Sequence, residues 1–302
     1  MTLKKIAWRV VQVALVILVT WGIVRTLAPE LTKVSLDDFS RYSPSIPRLV
    51  LATLALLAFY LIHAQLWRLI TTELGDRSFS YRSALRIYFV SGLGRYIPGR
   101  LWQIAGMVVM AQRAGLSAIA ATAASLIAQL AFITSGLFYL AIVLPAAWGG
   151  LVPVLIAIAA LLIAFGSFAA RHWIAEHVKR LKPAVDMLDR IRGRVALEWW
   201  VGYGISWVIL GGAFVLFATA FVPLDTSQQL EVAGAVAAAY LGGLLLFFSV
   251  AGLGVREAVM GTLLLEAGIP AAAALVISVA SRVWFTAGEL LPILFSKSSN
   301  TN

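Results

Sequence analysis

Ser278, Arg282, Thr286 and Glu289 recur at i, i+4, i+8 and i+11 within a long apolar stretch, which puts all four on one stripe of a helix. An arginine facing hydrocarbon at that depth would cost about 3 kcal/mol, so the stripe is expected to face inward, where Arg282 could hold an anion. Two glycine clusters carry further cations. One reads Ser91-Gly92-Leu93-Gly94-Arg95-Tyr96-Ile97-Pro98-Gly99-Arg100, the other Ala251-Gly252-Leu253-Gly254-Val255-Arg256-Glu257. Gly99, Gly252 and Gly254 allow close backbone approach. A helix resuming at about Leu101 would present free N–H groups and a positive dipole end to the same volume. The substrate-binding set expected from these patterns is Arg95, Tyr96, Gly99, Arg100, Trp102, Gln129, Gly252, Gly254, Arg256, Glu257, Ser278 and Arg282. Glu257 and Glu289 are the candidates for carrying a coupling proton. The plainer alternatives are that Arg95 and Arg100 snorkel to headgroups and that Arg256 and Glu257 form a structural ion pair.

Other chemistries lack their parts. With no cysteine there is no thiol nucleophile, thiolate metal site or disulfide. No paired aspartates and no His-Asp spacing occur at the glycine clusters, so neither an acid–base pair nor a nucleophile is in view. His63, beside Gln65 and Arg68 in an apolar stretch, reads as a hydrogen-bonded packing residue. His172 and His177 lack a third ligand at metal spacing. No metal, no cofactor and no enzymatic activity are expected.

The elements that must position these residues are membrane helices. Of 302 residues, 61% are hydrophobic and 13% charged, against about 25% charged in ordinary soluble domains. Crossing about 30 Å of hydrocarbon takes roughly 20 apolar residues. Six segments qualify: 6–27, 47–70, 117–144, 148–170, 196–222 and 271–295. The first is read as a retained anchor rather than a signal peptide, because Trp21 and Arg25 interrupt its end and Pro29 follows Ala28, the only small-residue cleavage point. Residues 82–115 and 230–268 are instead apolar helices broken in mid-course by the glycine clusters. The expected fold is an all-α polytopic membrane protein, with six spanning helices and two opposed re-entrant helical hairpins forming an inverted repeat. Its parts would be an anchor span and outer loop (1–46), a first half (47–170), a basic cytoplasmic linker helix (171–195) and a second half (196–302).

The net charge of +10 reports topology before partners. Arg171, Lys179, Arg180, Lys182, Arg190, Arg192 and Arg194 crowd the linker, whereas 223–231 carries Asp225 and Glu231 and no base. Basic loops stay inside, so the linker and both termini are expected in the cytoplasm of a bacterial inner membrane. The two hairpins then open to opposite faces. Apolar residues from Trp173 to Leu188 recur at helical spacing, so the linker would lie on anionic inner-leaflet lipid, its alternative being a solvated connector. No nucleic-acid motif is present.

An internal repeat supports two halves. At an offset of 153 residues, set by Gly99 and Gly252, Ala105 meets Ala258, Met107 meets Met260 and Ala114-Gly115 meets Ala267-Gly268. Ser125 meets Ser278, Phe132 meets Phe285, and Gln129 falls on Arg282. The polar stripe of the first copy therefore runs through Thr122, Ser125 and Gln129. Inverted repeats with broken helices are a common construction of secondary transporters, with substrate bound near the midplane.

Gly94-Arg95-Tyr96-Ile97-Pro98-Gly99-Arg100-Leu101-Trp102, Arg113-Ala114-Gly115-Leu116-Ser117, Gly252-Leu253-Gly254-Val255-Arg256-Glu257 and Ser281-Arg282 resemble the lysylphosphatidylglycerol synthase transmembrane-region family. That family includes the flippase half of the bacterial multiple peptide resistance factor. The resemblance runs from about Pro47 to Leu294 and implies an integral lipid translocase with re-entrant helices from both leaflets. Trp102-Gln103 and Ala251 depart from the pattern of many relatives. No aminoacyl-transferase domain is expected after the last span, so the resemblance does not imply lysyl-lipid synthesis. The leading expectation is movement of an anionic, phosphate-containing lipid, a phospholipid or a polyprenyl-phosphate-linked sugar, between leaflets by alternating access. The alternatives are a membrane-embedded lipid-modifying transferase and an accessory subunit, working as a homodimer or with a partner glycosyltransferase or synthase.

Overall fold

A computed structural model of the chain describes residues 42–75, 77–96, 101–143, 150–178, 182–189, 191–245 and 255–295. Every regular element within them is a helix. Lipid offers backbone N–H and C=O groups no partners, so a chain of this composition satisfies them along the helix axis. In order, the α-helices are α1 (Ile46–Gly75), α2 (Tyr81–Gly92), α3 (Leu101–Arg113), α4 (Ala118–Val143), α5 (Leu151–Ala169) and α6 (Arg171–His177). They continue as α7 (Lys182–Leu188), α8 (Gly193–Thr219), α9 (Thr226–Leu245), α10 (Val255–Glu266) and α11 (Ala271–Phe295).

Four helices are long and apolar enough to cross a membrane: α1, α4, α8 and the Ala271–Ile293 part of α11. Six were expected. The 148–170 segment forms a helix, α5, whose described apolar stretch is Leu151–Gly166. The 6–27 segment lies outside the described residues.

Both broken stretches fold as antiparallel helix pairs. In the first, α2 and α3 lie side by side, and a Cβ on Gly106 would come within 3.2 Å of the Ser91 Cβ. A short 3-10 turn, Leu93–Tyr96, follows α2 and presses Gly94 against α3. Any side chain there would put its Cβ 2.7 Å from the Trp102 carbonyl carbon, so only glycine fits. In the second pair α9 packs on α10, and Gln228 Nε2 donates to the Ala267 carbonyl at 3.2 Å to close the base. Residues 97–100 and 246–254, the centres of the two breaks, lie outside the described residues. At 1.5 Å per residue, α2, α3 and α10, with 12, 13 and 12 residues, rise only about 18–20 Å.

The 153-residue offset recurs in the backbone. Helix α2 ends at Gly92 and α9 at Leu245; α4 starts at Ala118 and α11 at Ala271. Helices α3 and α10 stop in the same way. Gly115 (φ 77°) and Gly268 (φ 74°) take the left-handed conformation, and Leu116 N–H reaches Ala111 O as Ile269 N–H reaches Leu264 O, both at 3.0 Å. This is the Schellman arrangement, completed in each copy by a buried apolar residue after the glycine.

Helix α9 starts with a reciprocal cap. Asp225 Oδ1 accepts from Gln228 N–H at 2.9 Å, while Gln228 Oε1 accepts from Asp225 N–H at 3.1 Å. The bond from Gln228 N–H, then one from the Ser227 hydroxyl, holds the exposed Asp225 carboxyl below its ordinary value of 3.8. A lowered folded-state value means stability that is full well above pH 3.8 and lost as pH falls through the folded value. Acid titration of helicity is therefore expected to separate wild type from Asp225→Asn near neutral pH and to bring them together only after pH has fallen through the folded value, below 3.8.

Helix α8 is the central element, crossing α1, α4 and α9. Small residues let it approach closely: Gly136 of α4 seats the Trp207 indole, and Gly211 of α8 seats Tyr139. Trp207 is fully buried, stacks on Phe132 at 4.4 Å and donates Nε1–H to the Phe132 carbonyl at 2.8 Å. The linker differs from the single helix expected. It forms two short helices, α6 and α7, with Pro183 in the first turn of α7, where proline is tolerated but cannot continue a helix from before it. Arg171 Nε pairs with Asp189 Oδ1 at 2.8 Å, Val185 and Ile191 turn inward, and Trp173 and Val178 stay exposed.

Candidate functional site

Where the two halves meet there is a cavity of about 160 Å³. Four of its polar residues are related in pairs by the repeat. Gln103 stands in the first turn of α3 where Arg256 stands in the first turn of α10, and Gln129 stands on α4 where Arg282 stands on α11. One half contributes two amides, the other two guanidiniums.

The arginines are held differently. The Arg256 guanidinium carbon lies 3.8 Å from the Phe285 ring centroid and 4.7 Å from that of Tyr240, within cation–π range of both rings. Its Nη2 is buried and finds no hydrogen-bond acceptor among the described residues. Arg282 Nη1 instead donates to Glu257 Oε1 at 3.5 Å, both side chains roughly four-fifths buried. Glu257 sits in the first turn of α10, the end where a carboxylate suits the dipole. The expected alternative, an Arg256–Glu257 pair, is thus replaced by an Arg282–Glu257 pair reaching from α11 to α10. Glu289 lines the cavity and accepts from the Tyr60 hydroxyl at 3.0 Å.

A second polar thread comes from α1, α2 and α8. Ser206 Oγ donates to the Tyr203 carbonyl at 2.7 Å, which uses its one proton. His63 Nε2, 3.0 Å away, must then be the donor to Ser206 Oγ, leaving Nδ1 to accept from the Tyr88 hydroxyl at 3.3 Å. His63 is both the hydrogen-bonded packing residue expected and part of the cavity wall, with Tyr88 and Tyr203. Trp67 closes another side, donating Nε1–H to Ser125 Oγ at 3.1 Å. A void of about 10 Å³, room for about one water, adjoins Tyr88 and Glu289 and runs towards Gly92 at the end of α2.

Of the residues expected from sequence, Gln129, Arg256, Arg282 and Glu289 meet at the cavity, with Ser125 and Thr286 from the two stripes. Glu257 stands one step back, behind Arg282. Ser278 and Thr122 do not line it; their hydroxyls turn back along their own helices to Ala274 O and Ala118 O. Trp102 is 55% exposed and also outside the lining. Arg95 and Tyr96 lie in the 3-10 turn. Gly99, Arg100, Gly252 and Gly254 lie outside the described residues. Gln103, His63, Tyr88, Tyr203 and Tyr240 were not expected. For Gln103 the signal existed, since the repeat offset places it opposite Arg256; the others are brought in by helix crossings that no local pattern encodes. His, Asp and Glu form no three-membered group able to hold a metal among the described residues.

The cavity thus gathers guanidiniums, a carboxylate and amides at the centre of an aliphatic and aromatic bundle. Comparison with curated proteins and with solved structures gave no match. The family model described as the lysylphosphatidylglycerol synthase TM region matches residues 9–286. With nearly the whole chain covered and the glycine-cluster motifs in place, this membrane protein belongs to the lysylphosphatidylglycerol synthase transmembrane-region family.

Proposed function

We propose that the protein is an integral lipid translocase that moves an anionic, phosphate-containing lipid between leaflets of a bacterial inner membrane. The observation that carries this reading is the pair of arginines, Arg256 and Arg282, facing a shared cavity inside an otherwise apolar bundle. Buried cations are costly and mark a ligand path in membrane proteins. A phosphate headgroup enters between the halves while its acyl or polyprenyl tails stay in lipid. The α2–α3 and α9–α10 pairs act as re-entrant hairpins from opposite faces, a reading supported by the shortness of α2, α3 and α10 and by the matching Schellman turns. One inverted copy rocks against the other to alternate access, with both termini and the 171–194 linker on the cytoplasmic side. Glu289 or Glu257 carries a coupling proton. The role is transport rather than catalysis. Of the two carboxylates, Glu289 accepts from Tyr60, and Glu257, behind Arg282, pairs with it.

Proteoliposomes loaded with fluorescent phosphatidylglycerol in one leaflet provide the test. The wild-type protein is expected to equilibrate the probe between leaflets, and Arg282→Gln to reduce transfer to the protein-free rate while the protein stays folded. Equal rates with and without wild-type protein would refute translocation of this lipid class.

A further inference from the structure

We infer that Arg256, rather than Arg282, is the residue that grips the phosphoryl oxygens, and that Gln103 and Gln129 select a phosphodiester whose remaining headgroup is small, uncharged and hydroxyl-bearing. The inference rests on the lipid reading above only for the presence of tails. Three observations lead to it.

Arg256 is the arginine with an unmet need. Phe285 and Tyr240 lie against the guanidinium without offering it an acceptor, and its Nη2 is buried and has none among the described residues. A buried guanidinium N–H left unmade is costly, and the partner that best satisfies a forked edge is an oxyanion presenting two oxygens. Arg282 already has a carboxylate from Glu257. It positions α11 against α10 and sets the local charge rather than holding the ligand.

The amides face the arginines from the other copy. Gln103 and Gln129 each bring a donor and an acceptor to the same cavity, which suits hydroxyls and does nothing for a second charge. Size sets the last limit: a cavity of about 160 Å³ is close to the roughly 150 Å³ that accepts one benzene-sized group. A phosphoryl group with a three-carbon polyol fits that description, and a multi-sugar headgroup does not.

Binding of phosphatidylglycerol, phosphatidylethanolamine and the soluble diester glycerophosphoglycerol to the full chain in mild detergent, read by native mass spectrometry, tests this. Arg256→Gln is expected to weaken phosphatidylglycerol binding about 10–100-fold, as for loss of a charged hydrogen bond. The double variant Glu257→Gln/Arg282→Gln, which removes that pair together, is expected to weaken binding less than Arg256→Gln does. Gln103→Leu should erase the preference for phosphatidylglycerol over phosphatidylethanolamine. Should Arg256→Gln fail to fold, Arg256→Lys keeps the charge but loses the fork and is expected to bind about tenfold more weakly. Wild-type affinity in either Arg256 variant, or loss of binding in the Glu257/Arg282 double variant alone, overturns the role given to Arg256. A preference unchanged by Gln103→Leu overturns the role given to the amides. If glycerophosphoglycerol binds through Arg256 as tightly as the lipid, the Arg256 assignment stands and the lipid reading falls.

Discussion

Gly136→Ala is expected to destabilise the folded chain by about 3 kcal/mol, at the upper end of what one inserted methyl costs in a packed interior. The added Cβ would lie within 2.6 Å of Trp207 Nε1. The indole cannot move aside. It is fully buried, stacked on Phe132 with 8° between planes, and tied through Nε1 to the Phe132 carbonyl. Relief must come from spreading α4 and α8, which opens the wall of the cavity that Phe132 shares. Gly212→Ala on α8 is the control, since nothing lies within 4 Å of the point its methyl would occupy and helix propensity favours alanine there. Melting in mild detergent should place Gly136→Ala well below wild type and Gly212→Ala at or above it; coincident curves for Gly136→Ala and wild type would show that the α4–α8 contact is looser than described.

Arg282→Gln should cost about 2 kcal/mol of stability, and Glu257→Gln a similar amount, through the partner each leaves behind. A carboxylate or guanidinium stranded among helices loses its counter-charge without regaining water. At 3.5 Å the pair is loose, and its side chains keep 20% and 23% of their exposure, so the loss falls below that of a tight, sealed ion pair. The double variant Glu257→Gln/Arg282→Gln is expected within about 1 kcal/mol of wild type, since two neutral amides can bond to each other. A thermodynamic cycle over the four proteins measures the coupling, and additive losses would mean that α10 and α11 are held together by other contacts.

Much of this was legible along the chain because membrane helices write their periodicity openly. The stripe through Arg282, Thr286 and Glu289 follows from 3.6-residue spacing alone, and all three line the cavity. The α3 and α10 ends were visible as the repeated Ala-Gly pair. What stayed hidden depends on contacts between distant segments. Tyr240 meets Arg256 only because α9 folds back on α10, and His63 reaches Ser206 across 143 positions. Ser278 shows the opposite error: it has the right spacing, but a serine inside a helix commonly bonds its own preceding turn, as here to Ala274 O at 2.6 Å. The linker misled because its apolar spacing survives Pro183 on paper, whereas the chain divides there.

The 153-residue correspondence has a bearing on how such a cavity could arise. Two separate, identical subunits would have to supply the same side chain at both members of each pair. That gives four guanidiniums, four amides, or two of each arranged symmetrically, and none of these sets both cations on one half of the cavity of about 160 Å³. Joining the copies in a single polypeptide lifts that restriction, because each can then mutate without its twin. A single chain can therefore give one cradle a charged side and a neutral one.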